Sequence, residues 1–314
     1  MNAININRGR NDQRLVIAVQ NEDGILVPVQ DFKDFWFNNK SPEILRRLYG
    51  NGLVDILLYD HGMIRYKNNE LSLSTIFRVN PRNTIMNILG KIGESVVVQR
   101  CKKDEALNLK LLRIASEKQV QKNTALEYFA IGTGFQSTKE KHPFIYNPDD
   151  TQRDIIWINK DGQHFQRKES TAVGGVDAGL QIKVSSNGMK YVYKDILEGK
   201  YEVPVIYFDM GNDFSKVYNR VVEELLKRND VLSQDLSQER LKYLSKRFLS
   251  GRDIDLECYD ELTYYRHLIA ALINGEIKIE DLIQCGNDYK PLGASIMGSC
   301  IKNIGGDVSR ISFD

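Results

Sequence analysis

Over the first 80 residues apolar and polar positions alternate in short runs broken by turn residues. RLVIAVQ (14–20), ILVPVQ (25–30), LVDILLYD (53–60), MIRYK (63–67) and LSLSTIFRV (71–79) each carry the β-branched content and near period-2 spacing of a half-buried strand. Between them Ser41-Pro42-Glu43 and the following ILRRLYG predict a short helix, capped by the serine, started by the proline and ended by Gly50. After Asn80-Pro81 the period changes. Ile85, Ile88, Leu89, Ile92 and Val96 recur at three- and four-residue spacing, which predicts a buried amphipathic helix with Gly90 and Gly93 on its close-packed surface. A second periodic stretch, DEALNLKLLRIASEKQ, covers 104–119.

Strand-like runs follow at 126–135, 154–159, 178–185 and 203–210, the last apolar and continuous like a fully buried strand. MKYVYKDILEGK, between the last two, offers a strand end and a short helix. From about residue 211 the pattern is helical almost to the end, with Ser237 as a start mark and Gly251 after FLS as a stop mark. These patterns predict an α/β (α+β) protein in three parts: a β-rich N-terminal domain at 1–80, a core at 81–210 and a helical C-terminal subdomain at 211–314. No fixed-period repeat or low-complexity tract interrupts them.

Composition narrows the class. The chain has 314 residues, 42% hydrophobic and 27% charged with a net charge of +1, which excludes disordered, collagen-like and rod-like proteins. Near-neutral charge argues against coating nucleic acid along the whole length but leaves room for a local basic groove. No apolar run approaches the roughly 20 residues of a membrane helix, and MNAININRGRNDQ lacks the apolar block of a signal peptide, so no membrane association and a cytoplasmic location are expected. Cys101, Cys258, Cys285 and Cys300 form no C-x-x-C pair, and His61, His142, His164 and His267 show no metal-ligand spacing. GTGF at 132–135 lacks the spacing of a phosphate-binding or dinucleotide loop, and no G-x-S-x-G signature occurs, which makes an unrelated small-molecule enzyme the weakest reading. Asp55, Asp60 and His61 read as surface polar residues.

The candidate chemistry lies between residues 94 and 183. On a strand, residues two apart share a face, so Gln181 and Lys183 project together while Leu180, Ile182 and Val184 pack into the core behind them. If DIIWIN runs antiparallel to LQIKVS, the midpoint between Asp154 and Lys183 falls near residue 168, in the polar stretch NKDGQHFQRKEST, and Asp154 comes beside the Gln181/Lys183 pair. A carboxylate, a second oxygen ligand and a lysine on one rim suit Mg²⁺-assisted phosphodiester cleavage. The oxygens hold a hard cation that keeps several waters, and the lysine orients or helps deprotonate the attacking water. Asp177 in GGVDAGLQIK is a rival for the aspartate role. An extended strand sets it roughly 20 Å from Lys183 at ~3.3 Å per residue, too far unless the chain bends at Gly174, Gly175 or Gly179.

A helix glutamate (Glu94 in GKIGES), an aspartate heading a strand (Asp154) and Gln181-x-Lys183 on the next strand resemble the PD-(D/E)XK nuclease superfamily over roughly residues 84–210. The resemblance is to its Q-x-K branches, Mrr-like restriction enzymes among them. It implies a restriction-endonuclease-like αβββαβ core with a mixed central sheet, Glu94, Asp154 and Gln181 as ligands of Mg²⁺ (with Mn²⁺ as a substitute), and Lys183 as the catalytic lysine. Gln181 stands where the family usually has Glu or Asp, which removes one negative charge from the metal site. The implied activity is a DNA endonuclease of restriction or phage defence, with DNA as partner, compatible with a homodimer or an activating protein partner. The alternative is a catalytically degenerate nuclease-fold protein acting as a DNA-binding or assembly subunit.

Around these residues, Lys91, Lys102, Lys103, Lys190, Lys194, Ser185, Ser186 and Asn187 are donors suited to a phosphate backbone, or a solvated face. Ser95 and Gln99 follow Glu94 and are candidates to line the same cleft. Tyr259, Tyr264 and Tyr265 offer base stacking, or are core.

Overall fold

The computed structural model describes residues 2–7, 13–20, 26–31, 49–50, 52–67, 70–75, 79–167, 177–227 and 234–283. The predicted helix at 41–50 lies outside them except for its last two residues, which are helical. By their internal contacts the described residues fall into two compact units. One draws on Met1–Leu58, Met63–Thr75 and Tyr264–Asp314, the other on Tyr59–Gly62 and Ile76–Thr263.

In the first unit β1 (Asn2–Asn7), β2 (Gln13–Gln20) and β3 (Leu26–Asp31) form an antiparallel sheet in that order, with a register shift at Ile17/Ala18. β1 escaped the sequence pattern because three of its six residues are asparagines, which strands disfavour. β4 (Ile64–Lys67) and β5 (Glu70–Leu73) make a separate antiparallel hairpin. The strand expected at 53–60 is instead helical at 52–55 and runs into a π-helical turn, Ile56–Asp60. Leu53, Val54, Ile56 and Leu57 are all buried, the three- and four-residue spacing of a helix face, and a short apolar run alone does not separate that from a strand.

The second unit is mixed α/β. Its first helix, α1 (Pro81–Lys103), opens with proline at N1 and the Asn80 side chain accepting from Arg82 N at 3.0 Å. α2 (Glu105–Ser116) starts on Asp104, whose carboxylate takes two backbone N–H groups, and α3 (Lys122–Leu126) is a single short turn. Then come β6 (Phe129–Gly132), α4 (Gln136–Lys141), β7 (Ile155–Ile158) and β8 (Gly179–Ser185). Two short helices, α5 (Gly188–Tyr191) and α6 (Tyr193–Leu197), replace the strand end expected there and carry the chain over to β9 (Val205–Asp209). α7 (Phe214–Lys227), α8 (Gln234–Arg247), β10 (Phe248–Ser250), α9 (Gly251–Ile254) and the start of α10 (Leu256–Ile273) follow; from Tyr264 on, α10 belongs to the first unit, as does α11 (Ile279–Ile283).

The strands line up as β10-β9-β8-β7-β6. β6, β7 and β8 are antiparallel to their neighbours, whereas β8, β9 and β10 run parallel, so the sheet is mixed. The wholly helical C-terminal part expected from the sequence is thus interrupted by β10. Three residues, Phe-Leu-Ser, are too few to show a strand period, and they read as a helix stop. β10 and the four-residue β6 are the two edges of this sheet.

Two layers cover the sheet. Gly93 of α1 lies on Ile182 and Val184, so close that a Cβ there would come within 2.8 Å of Val184 Cγ2, whereas Gly90 meets nothing within 4 Å and is not a packing glycine. On the opposite face Val205 and Tyr207 of β9 join Val192, Tyr201 and Phe248 in a core that α7 closes with Val217, Val221 and Leu225. Trp157, fully buried in β7, donates its indole N–H to Asn108 Oδ1 at 2.8 Å, and the Asn108 amide donates to the Ala125 and Tyr128 carbonyls at 3.3 and 3.1 Å. No helix among the described residues is long and apolar enough to cross a membrane.

Asn108→Leu strands the buried indole N–H and takes the amide donor from the Tyr128 carbonyl, while the Ala125 carbonyl keeps the Tyr128 N–H. The expected loss is about 2–3 kcal/mol of unfolding free energy, read as a lower urea midpoint at unchanged m-value.

Candidate functional site

The site is built where β7 leaves β8. The ladder runs Ile156↔Gly179 and Ile155↔Leu180 and stops there, so the next pair in register is Asp154 with Gln181. That is two residues from the Asp154–Lys183 register expected from the sequence and keeps the same side-chain parity, which is why Asp154 still meets the rim of Gln181 and Lys183. Asp154 N donates to Leu180 O at 2.9 Å as a last main-chain tie. Beyond it the Ile182 N–H has no facing strand carbonyl, and Asp154 Oδ2 accepts it at 2.7 Å. The same oxygen accepts from Gln181 Nε2 at 2.6 Å. On its far side Asp154 O takes the Thr133 N–H at 3.0 Å, which anchors the strand head.

Gln181 is buried, and its other amide atom, Oε1, has no hydrogen-bond partner among the described residues. A buried carbonyl-type oxygen left without a donor costs free energy unless a ligand or water serves it. Lys183, half-buried on the same face, sets Nζ 5.0 Å from the centroid of the Tyr201 ring. Tyr201 donates its hydroxyl to Asp195 at 2.6 Å, and Lys200 reaches the same carboxylate at 3.0 Å. Burial pulls Lys183 below the usual lysine range, against the holding effect of Asp154 and Glu94.

Glu94 comes from α1, next to the packing glycine Gly93, and is buried. Burial first, and then the Asp154 charge, push it up to about 7, while Lys91 and Lys183 pull it back. Lys91 Nζ binds both Glu94 oxygens, at 2.9 and 3.2 Å. Burial likewise raises Asp154, opposed by Lys183, the Ile182 N–H and Lys91. Glu94, Asp154, Lys183 and Lys91 therefore share one electrostatic environment, and Gln181 joins it through its bond to Asp154. Tyr191, exposed at the end of α5, is raised by partial burial and then by Asp154 and Glu94, so it stands at the mouth of the same group.

Asp177 is held elsewhere. Its carboxylate accepts from Arg153 Nη1 at 3.0 Å, His164 Nδ1 at 2.8 Å and Gln166 Nε2 at 2.7 Å. Burial pushes it up, but the His164 and Gln166 bonds and the Arg153 charge prevail and hold it down to about 2. Ser95 and Gln99, candidates to line the cleft, meet residues 60–61: Ser95 Oγ lies 3.0 Å from His61 Nε2, and Gln99 Nε2 3.4 Å from Asp60 Oδ2. His61 is thus half-buried and hydrogen-bonded, not a free surface residue. Its Nε2–H donates to the Lys91 carbonyl at 2.8 Å, and burial, then the Lys91 charge, lower it to about 4, so it is neutral. Nothing in the spacing of a lone histidine after Asp60 signals this contact.

Of the outlying donors, Ser186 Oγ accepts from Arg82 Nε and Nη2 at 3.1 and 2.8 Å, tying the start of α1 to the end of β8. Ser185 Oγ accepts from Asn187 N, Asn187 caps α5, and Lys194 pairs with Glu198 at 3.8 Å. Tyr264 and Tyr265 are buried beside Tyr49, and Tyr259 donates to Asp209 O, so the first two are core.

Among the described residues no group of three or more His, Cys, Asp or Glu side chains is placed to hold a metal ion. The oxygen donors present are the two carboxylates and the unpartnered Gln181 Oε1. This is an all-oxygen set with little negative charge, which fits a hard divalent cation that keeps most of its waters, held weakly. No protein-family model matches the chain, and neither a curated protein nor a solved structure matches it.

Because Glu94 binds its proton near pH 7 in the folded chain and near 4.5 when unfolded, its contribution favours folding fully below about 4.5 and is lost as the pH rises through about 7. In EDTA, the stability of wild type relative to Glu94→Gln is expected to fall between pH 4.5 and 7 and to level off above. Urea melts of both chains across that range measure it.

Proposed function

We propose that the chain is a Mg²⁺-dependent phosphodiesterase of the PD-(D/E)XK nuclease type, with DNA as substrate. The observation that carries this reading is the convergence of Glu94, Asp154, Gln181 and Lys183 at the point where β7 parts from β8, with Gln181 Oε1 left unserved. The element order also supports it: a helix (α1), three antiparallel strands, a crossover through α5 and α6, and a parallel strand (β9) follow the αβββαβ order of the restriction-endonuclease-like core.

Asp154, Gln181 Oε1 and Glu94 would hold the cation. When bound, the cation neutralises charge on the scissile phosphate and lowers the pKa of a water. Lys183 Nζ, desolvated on one side by Tyr201, donates a hydrogen bond that orients the attacking water toward the phosphorus. Asp154 is fixed for this by its two bonds to Oδ2, which prevent the carboxylate from rotating. Arg82, exposed beside Ser186, and Lys190 supply positive charge near the end of β8 for a phosphate backbone.

A second reading, a nuclease fold without catalysis that binds or assembles on DNA, is favoured by Gln181 in place of an acid and by the absence of a three-acid cluster among the described residues.

Cleavage of supercoiled and linear DNA in Mg²⁺ or Mn²⁺ decides between them. On the first reading wild type nicks or linearises plasmid, and Lys183→Ala and Asp154→Ala each lose about 100-fold or more at matched circular dichroism. DNA binding without cleavage by any of the three supports the second.

A further inference from the structure

Lys91 is a lysine that the proposed reaction does not use, yet it sits among the residues that carry it. Its ammonium bridges both oxygens of the buried Glu94, with 43% of the lysine side chain exposed and 8% of the glutamate. Asp154 adds to the negative potential it occupies. Its backbone is pinned, because His61 Nε2–H donates to the Lys91 carbonyl at 2.8 Å and Ser95, one turn on, holds the same ring. The long side chain, by contrast, has solvent on one side and only the Glu94 carboxylate as its bonded partner among the described residues. It lies three residues before Glu94 on α1, where an ammonium reaches a carboxylate directly.

We infer that Lys91 is an internal counter-cation: it occupies the charge position of the divalent ion in the metal-free chain, and the ion must displace it from Glu94 to bind. This rests on the metal-dependent reading above. The physical argument is competition. Two carboxylates in a poorly solvated cleft need a positive partner, and an ammonium three residues away supplies one at no association entropy. A dication entering the same place meets both the bond it must break and the repulsion of the ammonium that remains nearby. Once displaced, the ammonium stays on a rim that is open to solvent, where a substrate phosphate approaches.

The consequence is a weak intrinsic affinity for the ion that one substitution relieves. Lys91→Met keeps the side-chain length without its charge, and Lys91→Arg keeps the charge. In calorimetric titrations of the full chain with Mn²⁺ at pH 8, Lys91→Met is expected to bind about tenfold more tightly than wild type, the worth of one charge-assisted hydrogen bond, and Lys91→Arg to stay close to wild type. Adding Glu94→Gln to Lys91→Met is expected to erase the gain. If Lys91→Met does not give the circular dichroism of the folded chain, Lys91→Gln takes its place. Equal or weaker Mn²⁺ binding by the lysine variant, with wild type binding, overturns the inference and leaves the metal-dependent reading standing. No Mn²⁺ binding by any of the chains overturns both.

Discussion

The hydrogen bond from the Ile182 main chain to the Asp154 carboxylate is where fold and site become one object. In a continued antiparallel ladder that N–H would belong to a carbonyl of the neighbouring strand. Here β7 turns away after Ile155, and a side chain takes over the duty. The bond fixes the carboxylate, occupies one of its oxygens and leaves an opening between two strands of a buried sheet. Because α1 packs on the Ile182/Val184 face and Lys183 points to the other, this opening is also where groups from both faces come within electrostatic reach. A sheet zipped all the way would have separated them.

Charge balance follows from the same opening. Above about pH 7 Glu94 and Asp154 bring two negative charges, and Lys91 and Lys183 bring two positive ones, so the group is near neutral. Neutrality makes the arrangement tolerable in a folded chain, since unpaired buried charges are costly. It also means that none of the four is at rest. Burial pushes both acids up and Lys183 down, and each is restrained mainly by the others. Neutral His61 adds no charge to the set and fixes only the backbone from which Lys91 extends.

Much of this was legible in the sequence where periodicity and parity govern. The apolar spacing of Ile88, Leu89, Ile92 and Val96 marks α1, and the alternation in LQIKVS puts Gln181 and Lys183 on the face opposite Ile182 and Val184 whatever the exact register. A two-residue error in register left the site intact because side-chain parity repeats every second residue. What stayed hidden has other causes. β10 has three residues, too short for a period, and the helical turn at 52–60 shares its apolar run with a strand. The roles of His61 and Lys91 depend on contacts across 30 or more residues or on which way one lysine turns, and neither leaves a trace in local spacing. Asp177 looked eligible because glycines beside it permit a bend. Its three donors, Arg153, His164 and Gln166, are a tertiary arrangement that no local pattern encodes.

The five-stranded sheet ends on one side in three residues of β10 and on the other in four residues of β6. The central β8 is its longest strand, with seven residues, and the open N–H and C=O groups of the edges extend over only about 10–13 Å at ~3.3 Å per residue. A neighbouring chain adding itself to either side would find few bonds to make before the template runs out. Brief edges of this kind guard a β-sheet against growing into fibrils, so the folded sheet carries its own protection against self-association in a crowded cell.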